Sequence, residues 1–314
     1  MNPNILVICG PTASGKTALA VALARRFHGE VVSADSMQVY RRMDIGTAKP
    51  TAEEMGGVPH HMLDVADPEE NYSVARYVQE AVPVVDDILA RGKLPIVAGG
   101  TGLYIDNLVA GRQFAPFTPD SGLREALQAR ASTEGLPVLL EELRAVDSAA
   151  AERLHPNDEK RIIRALEVWL STGKTITRHN EETKSLPNRY VPLTIGLNFE
   201  DRAHLRQRID RRVDEMMERG LEQEVRQLLA DGVPSDCTAM QAIGYKEIAA
   251  AILDGRPIEE GAEEVKLRSR QYAKRQLTWF RRDPAVHWFF WGEAPDFSAA
   301  LAFSTELIIT SGLQ

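Results

Sequence analysis

The chain has 314 residues, 44% of them hydrophobic and 26% charged, with a net charge of −8; this suits two globular domains or one elaborated domain and argues against general disorder. Two cysteines, Cys9 and Cys237, exclude a disulfide framework and a four-cysteine zinc site. There is no H-E-x-x-H, no apolar run near the ~18 residues of a membrane span, and no leader ahead of the first motif, so the reading is a cytoplasmic, non-membrane protein.

In chain order, Ile5–Cys9 reads as a strand, Thr17–Phe27 as a helix and Val31–Ala34 as a second strand. Ser73–Arg91 follows as a helix kinked at Pro83, and Leu94–Ala98 as a third strand. Strands alternating with helices predict an α/β fold, a parallel sheet with helices on its faces. Two prolines in Phe114–Pro119 mark a linker. From there only helical pattern is seen, the clearest stretch capped by Asn157 or Asp158 and ended by Gly173. In it Ile162, Leu166, Trp169 and Leu170 form an apolar face, and Lys160, Arg164 and Glu167 lie on another. After a loop at Leu186–Asn188, Tyr190–Leu197 resumes the strands, and Arg202–Ala230, Glu247–Leu253 and Glu259–Arg281 read as helices. The organisation expected is an α/β core over 1–119, an all-helical insertion over 120–185, and the core continued with basic helices over 186–314.

Gly10-Pro11-Thr12-Ala13-Ser14-Gly15-Lys16-Thr17 matches G-x-x-x-x-G-K-[ST] between a strand and a helix. Such a P-loop turns backbone N–H groups and a helix N-terminus towards phosphate oxygens, with Lys16 as a point charge and the Thr17 hydroxyl placed for Mg²⁺. An ATPase usually carries a strand-end acid for the metal. Here Leu94–Ala98 runs instead into Gly99-Gly100-Thr101-Gly102, which suits close backbone approach to a ligand or simply a tight turn. Asp35 follows the second strand, at the edge of a parallel sheet where ligands bind, and can take a proton from an acceptor or serve as a cap. His60 and His61 are adjacent and read as structural or substrate-positioning rather than metal ligands.

Although the chain is acidic overall, Lys266–Arg282 holds seven cations and no acid. As a helix it would span ~25 Å, with Lys266, Arg270 and Lys274 on one face and Tyr272, Trp279 and Phe280 interleaved. Lys160, Arg161 and Arg164 form a second cluster. Two basic clusters beside a phosphate-binding core suggest a polyanionic partner; a solvated surface helix is the plainer alternative.

Taken together these segments resemble the tRNA dimethylallyltransferases (tRNA isopentenyltransferases), in their compact bacterial form. The resemblance rests on Gly10–Thr17, Asp35–Tyr40, Gly46–Lys49, His60-His61, Gly99–Tyr104, His155–Asp158 with Arg161, Arg164–Glu167, Gly244–Glu247, and Lys274–Gln276 with Thr278-Trp279. It implies transfer of a dimethylallyl group from dimethylallyl diphosphate to N6 of adenosine 37 in tRNAs reading codons that begin with U. Pyrophosphate is released and Mg²⁺ is required. The Gly10–Thr17 loop then holds the isoprenoid diphosphate rather than ATP, Asp35 is the general base and Thr101 its catalytic partner. The resemblance also carries contacts to the tRNA anticodon stem-loop onto Asp35, Ser36, Met37, Gln38, Thr101, Leu123, Glu159, Lys160, Arg161, Ile162 and Ile163. The same contacts continue over Met240, Gln241, Ala242, Ile243, Gly244 and Tyr245, and over Ala273, Lys274, Arg275, Gln276, Leu277, Thr278, Trp279 and Phe280. Arg208, Arg211 and Arg212 are candidate pyrophosphate ligands, and a monomer is expected. Three other readings stay open: transfer to free adenine nucleotides, a small-molecule or nucleotide kinase, and an RNA-binding module without chemistry. After Arg282 the chain reads as an apolar tail without the zinc finger of many eukaryotic members.

Overall fold

The computed structural model describes residues 2–112, 121–184 and 187–313; the predicted linker at Phe114–Pro119 and Leu186 of the second loop lie outside them. The chain divides into two compact units, one of Met1–Gly111 with Asn188–Gln314, the other Arg112–Pro187.

The first unit is built on β1 (Asn4–Cys9), α1 (Lys16–Arg26), β2 (Glu30–Ser33), the single turn α2 (Ala52–Met55), β3 (His60–His61), α3 (Val74–Ala90), β4 (Pro95–Gly99) and α4 (Gly102–Ala110). Helix α3 runs through Pro83 unbroken. Pro83 and Gln79, whose carbonyl loses its helical partner, are both exposed, so the unpaired carbonyl is not buried away from solvent.

Among its described residues the second unit contains only helices: α5 (Ser121–Thr133), α6 (Leu136–Val146), α7 (Ser148–Arg153), α8 (Glu159–Thr172) and α9 (Ile176–Lys184). They enclose their own core of Leu127, Leu139, Leu143, Ile162, Ile163 and Leu166. Asp158 caps α8 and Gly173 ends it with φ 67°. The apolar face differs from the sequence reading: Ile163, Ala165 and Val168 are buried, whereas Leu170 is 55% exposed. Glu167, expected on a polar face, is fully buried because Arg124 and Arg164 both donate to its Oε2, at 2.7 and 2.8 Å. Pairing with two cations compensates the desolvation of that carboxylate.

The first unit resumes with β5 (Val191–Phe199), α10 (Arg202–Glu218), α11 (Leu221–Ala230), a 3₁₀ turn at Ala239–Gln241, α12 (Tyr245–Leu253), α13 (Ile258–Phe280), β6 (His287–Trp291) and α14 (Phe297–Thr310). The expected helix over Arg202–Ala230 is two helices, because Gly220 turns the chain at φ 99°. The expected apolar tail is an edge strand and a helix packed on the core around α1. All six strands run parallel in the order β3-β2-β4-β1-β5-β6. Central β1 is buried from Ile5 to Cys9, which matches its uninterrupted apolar run. The α/β class expected from alternation is therefore what the chain adopts, and strands β1, β4 and β2 deliver three loops to one carboxyl edge, where α/β sheets bind ligands.

Candidate active site

The first of those loops is Gly10–Gly15. It turns through Gly10 at φ 145°, Ala13 at φ 62° and Gly15 at φ 88° before α1 begins. A Cβ on Gly10 would lie 2.4 Å from the Leu197 carbonyl oxygen, so this turn requires glycine. Its far side is held by the C-terminal part of the chain. The Trp291 indole donates to the Ser14 carbonyl at 2.8 Å, and the Phe297 ring lies against Gly15. The Thr12 N–H donates to Gln276 Oε1 at 2.8 Å, while Gln276 Nε2 donates to the Gly100 carbonyl at 2.9 Å. One buried amide on α13 thus ties the β1 loop to the β4 loop. Gly99 and Gly100 allow that closeness, since a Cβ on either would sit 2.2 Å from the Ala34 carbonyl oxygen or 2.1 Å from the Gln276 amide nitrogen.

The loop faces a crevice of about 430 Å³. Its opposite wall is α10, which contributes Arg208, Arg211 and Arg212. Arg208 Nε donates to the Ala13 carbonyl at 3.2 Å. Lys16 Nζ donates to the carbonyls of Gly10 at 3.1 Å and Pro11 at 2.7 Å. Burial, then the neighbouring Arg212 cation, pulls the Lys16 ammonium down to about 8. Burial likewise lowers Arg212, while Asp35 opposes that shift. Cations held together at such cost define an anion site. The Ser14 hydroxyl is buried without a partner at the base of the loop, and Thr17 belongs to the crevice lining.

Asp35 and Thr101 follow the ends of β2 and β4; Asp35 lines the crevice, whereas Thr101 lies outside its lining and is tied to the neighbouring Ser36. Asp35 Oδ1 accepts the Met37 N–H at 2.9 Å, and Thr101 Oγ1 accepts the Ser36 N–H at 3.1 Å. The Thr101 N–H donates to the Ala34 carbonyl at 3.1 Å, which fixes the two strand ends together. Tyr272 of α13, read from the sequence only as an aromatic of the basic helix, lines the crevice; its hydroxyl is pushed up to about 12 by burial and then by the Asp35 charge. It lies one turn before Gln276, the i, i+4 spacing that puts both on one helix face.

Asp35, Thr12, Arg212 and Tyr272 also line a second cavity of about 240 Å³, whose other walls are Ser36-Met37, Gly46–Ala48, Gln241–Ile243 and the apolar side chains Ile209, Val213 and Val265. A cationic crevice and a largely apolar chamber therefore share a wall, and the Asp35 carboxylate stands in it. The geometry suits a group passed from a phosphorylated donor on one side to an acceptor on the other.

The remaining predicted residues separate by exposure. Glu159, Lys160, Arg161, Gln241, Lys274, Arg275 and Thr278 are exposed, whereas the side chains of Ile162, Ile163, Met240, Ala242, Tyr245, Ala273, Gln276, Leu277 and Phe280 are buried in their own units. Leu123 packs on the second unit's core. Ile243 and Gly244 lie in the turn before α12, and the Gly244 N–H donates to Glu247. The Trp279 indole donates to Asp106 at 3.1 Å, and the Arg282 guanidinium lies 4.1 Å from the Trp279 ring centroid. The basic face of α13 is not uniform. Lys266 pairs with Asp214 at 2.7 Å and Arg270 with Asp210 at 2.6 Å, both acids on α10. His61 bonds to the buried Glu30 at 2.8 Å, which also takes Arg91 and Lys93, and His60 bonds to the Val58 carbonyl at 2.9 Å. The two histidines pair with Val31 and Val32 in the middle of β2 and line neither the crevice nor the adjoining cavity. Among the described residues no three His, Cys, Asp or Glu side chains cluster to hold a metal, and no helix is long and apolar enough to cross a membrane.

A parallel sheet with a glycine loop, a cationic wall and a strand-end acid defines a class of site: an anion pocket beside a proton acceptor. Residues 38–283 match the family model described as IPP transferase. A tRNA dimethylallyltransferase of a Thermoanaerobacter species is 49% identical over 91% of both chains, and one of Geobacter sulfurreducens is also 49% identical over 91% of both. Among solved structures, the tRNA isopentenylpyrophosphate transferase of Bacillus halodurans is 42% identical with a TM-score of 0.72, covering 99% of this chain and 98% of that one. A eukaryotic dimethylallyltransferase acting on tRNA is 31% identical with a TM-score of 0.82, covering 98% of this chain and 80% of that one. The chain belongs to the IPP transferase family, the tRNA dimethylallyltransferases, and is an enzyme of that family.

Proposed function

We propose that the protein transfers the dimethylallyl group of dimethylallyl diphosphate to N6 of adenosine 37 in tRNAs that read codons beginning with U. The observation that carries this reading is the position of Asp35, between the cationic crevice and the apolar chamber. In this arrangement the diphosphate lies against the N–H groups of Ala13–Gly15, Lys16 and Arg212. The Asp35 side faces the flipped adenine.

The exocyclic amine of adenine is a weak nucleophile because its lone pair is delocalised into the ring. As the bond between N6 and the allylic carbon forms, the bond from that carbon to the bridging oxygen breaks, and the amine becomes acidic. Asp35 accepts the proton, with Thr101 orienting the amine or the bridging oxygen. Lys16, Arg212 and the loop N–H groups hold the charge that develops on the pyrophosphate. Flipping the adenine out of its stack costs a few kcal/mol, which contacts from exposed cations such as Lys160, Arg161, Lys274 and Arg275 would offset. Mg²⁺ fits the donors present: the Thr17 hydroxyl, with no metal-holding cluster of acids among the described residues, suits an ion that keeps several waters and binds chiefly through phosphate oxygens. When bound, that ion neutralises charge on the departing pyrophosphate. The protein works as a monomer in the cytoplasm on this reading.

The test is incubation with Mg²⁺ and labelled dimethylallyl diphosphate against an unmodified anticodon stem-loop, AMP, and no acceptor. Label on the stem-loop alone supports the reading; label on AMP moves the acceptor to free nucleotides, and no label with ATP consumed makes the protein a kinase. Within the same assay Asp35→Asn, which keeps an acceptor for the Met37 N–H, should lower kcat by about 10²- to 10⁴-fold with stem-loop affinity mostly kept. Equal loss of turnover and affinity would remove Asp35 from the base role.

A further inference from the structure

Resting on the transfer reading above, we infer that Glu224 is a positioning residue for the acceptor chamber, coupling the segment before α12 to the wall formed by Gly46–Ala48. Glu224 belongs to α11 and lines neither cavity. Its carboxylate nevertheless accepts three consecutive backbone N–H groups: Asp44 at 3.0 Å, Ile45 at 2.9 Å and Gly46 at 3.3 Å. Successive N–H groups converging in this way form a nest for a negative charge. A fourth donor is the Tyr245 hydroxyl, at 2.5 Å, and the Gly46 N–H also reaches that hydroxyl oxygen at 3.2 Å.

These contacts join two parts of one chamber. Thr47 and Ala48, just beyond the nest, line it from one side, and Gln241–Ile243, just before Tyr245, line it from another. The Tyr245 ring is fully buried against Gly46, where a Cβ would come within 2.4 Å of the ring. The other end of the loop is tied by Lys49, whose ammonium donates to the Tyr40 carbonyl at 2.8 Å and pairs with Asp44 and Asp64. Its middle is tied by Gln38, whose amide donates to the carbonyls of Thr47 and Ala48. Of these three anchors only Glu224 also bonds to Tyr245, two residues beyond the opposite wall. It sets the spacing between the two walls, and with it the orientation of the acceptor beside Asp35. Thr47 and Ala48 border the crevice as well, but the glycine loop of the diphosphate side is held by Gln276, Trp291 and Arg208, none of which bonds to Glu224.

Two variants test this. Glu224→Gln keeps the size of the side chain but replaces one acceptor oxygen with an NH₂ group, which cannot accept from the nest. Tyr245→Phe keeps the ring and removes only the hydroxyl. With labelled dimethylallyl diphosphate and the stem-loop, Glu224→Gln should lower kcat about tenfold or more and Tyr245→Phe about threefold, with the KM for the diphosphate within twofold of the parent. The double variant should be no worse than Glu224→Gln alone, because both act through one contact. Unchanged kcat in both variants would overturn the inference. So would a diphosphate KM that rises in step with the loss of kcat in Tyr245→Phe, since a general loosening of the fold moves both. Failure of the transfer reading itself is separately visible, as absence of stem-loop label in the parent protein.

Discussion

Helix α10 carries two sets of charges, and they do opposite work. On one side Arg208 and Arg212 face the glycine loop, pressed close to Lys16, with burial lowering both arginines. On another, Asp210 and Asp214 neutralise Arg270 and Lys266 of α13. Cations crowded together without acids bonded to them are held ready for an anion from outside; cations matched one to one with acids are packing devices. The same rule divides α13. Its first half is neutralised by α10, while Lys274 and Arg275 in its second half stay exposed.

The sharpest way to break that comparison is to remove a crevice cation. Arg212→Ala should weaken pyrophosphate binding by about 10- to 100-fold, the value of a charge-assisted hydrogen bond to a largely desolvated partner. Competition by inorganic pyrophosphate measures it. An unchanged inhibition constant would make Arg212 a buried structural cation.

Lys16 offers a second test, through pH. Its ammonium titrates at about 8, below the usual lysine value. Anion binding requires the charged form, so affinity for pyrophosphate should hold below about pH 8 and fall by up to about tenfold per unit above it. Stability moves the other way. The folded state releases this proton at lower pH than the unfolded chain, so the cost of burying the charge is fully present below about 8. It is relieved as pH rises towards the ordinary lysine value. A binding profile flat from pH 7 to 10 would mean that Lys16 does not carry the site.

At the exposed end of α13, Lys274→Ala with Arg275→Ala should weaken stem-loop binding about five- to tenfold and flatten its dependence on salt, since a phosphate that no longer meets a cation keeps its counterions. Binding of dimethylallyl diphosphate should not change. Equal affinity for the stem-loop at all salt concentrations would make this surface a solvated one.

Much of this arrangement was legible in the sequence. The loop Gly10–Thr17 and the acid after β2 have short-range signatures, because the chemistry needs particular residues at particular spacings after a strand. The parallel α/β class followed from alternation, and the helical character of 121–184 from the absence of strand pattern. What escaped has a common cause. The sequence does not single out Trp291 and Glu224, and shows Tyr272 and Gln276 only as parts of an RNA-facing helix; all four shape the site from more than a hundred residues away along the chain, and local pattern does not encode which distant loop a side chain will meet. His287–Trp291 alternates too little to announce an edge strand, yet its last residue holds the phosphate loop. Glu167 looked like a surface acid because periodicity places it beside Lys160 and Arg164; only the fold brings Arg124 to it. Lys266 and Arg270 looked like part of a nucleic-acid stripe for the same reason, their acidic partners lying on another helix.

That last pair gives the smallest expected effect and the cleanest contrast. The Lys266 and Arg270 ion pairs are partly open to solvent, with Asp214 at 56% exposure and Asp210 at 35%, so screening leaves each worth about 0.2–1 kcal/mol. Replacing both cations with alanine should lower the melting temperature by about 1–4 °C, given the entropy of unfolding of a domain this size. It should leave stem-loop affinity within about twofold, because charges already matched by acids release few counterions when RNA approaches. Lys274→Ala with Arg275→Ala should do the reverse, changing affinity and not stability. If instead the four cations contribute equally to stem-loop binding, Asp210 and Asp214 must release their partners when the RNA arrives, and the basic face of α13 would act as one continuous surface in the complex.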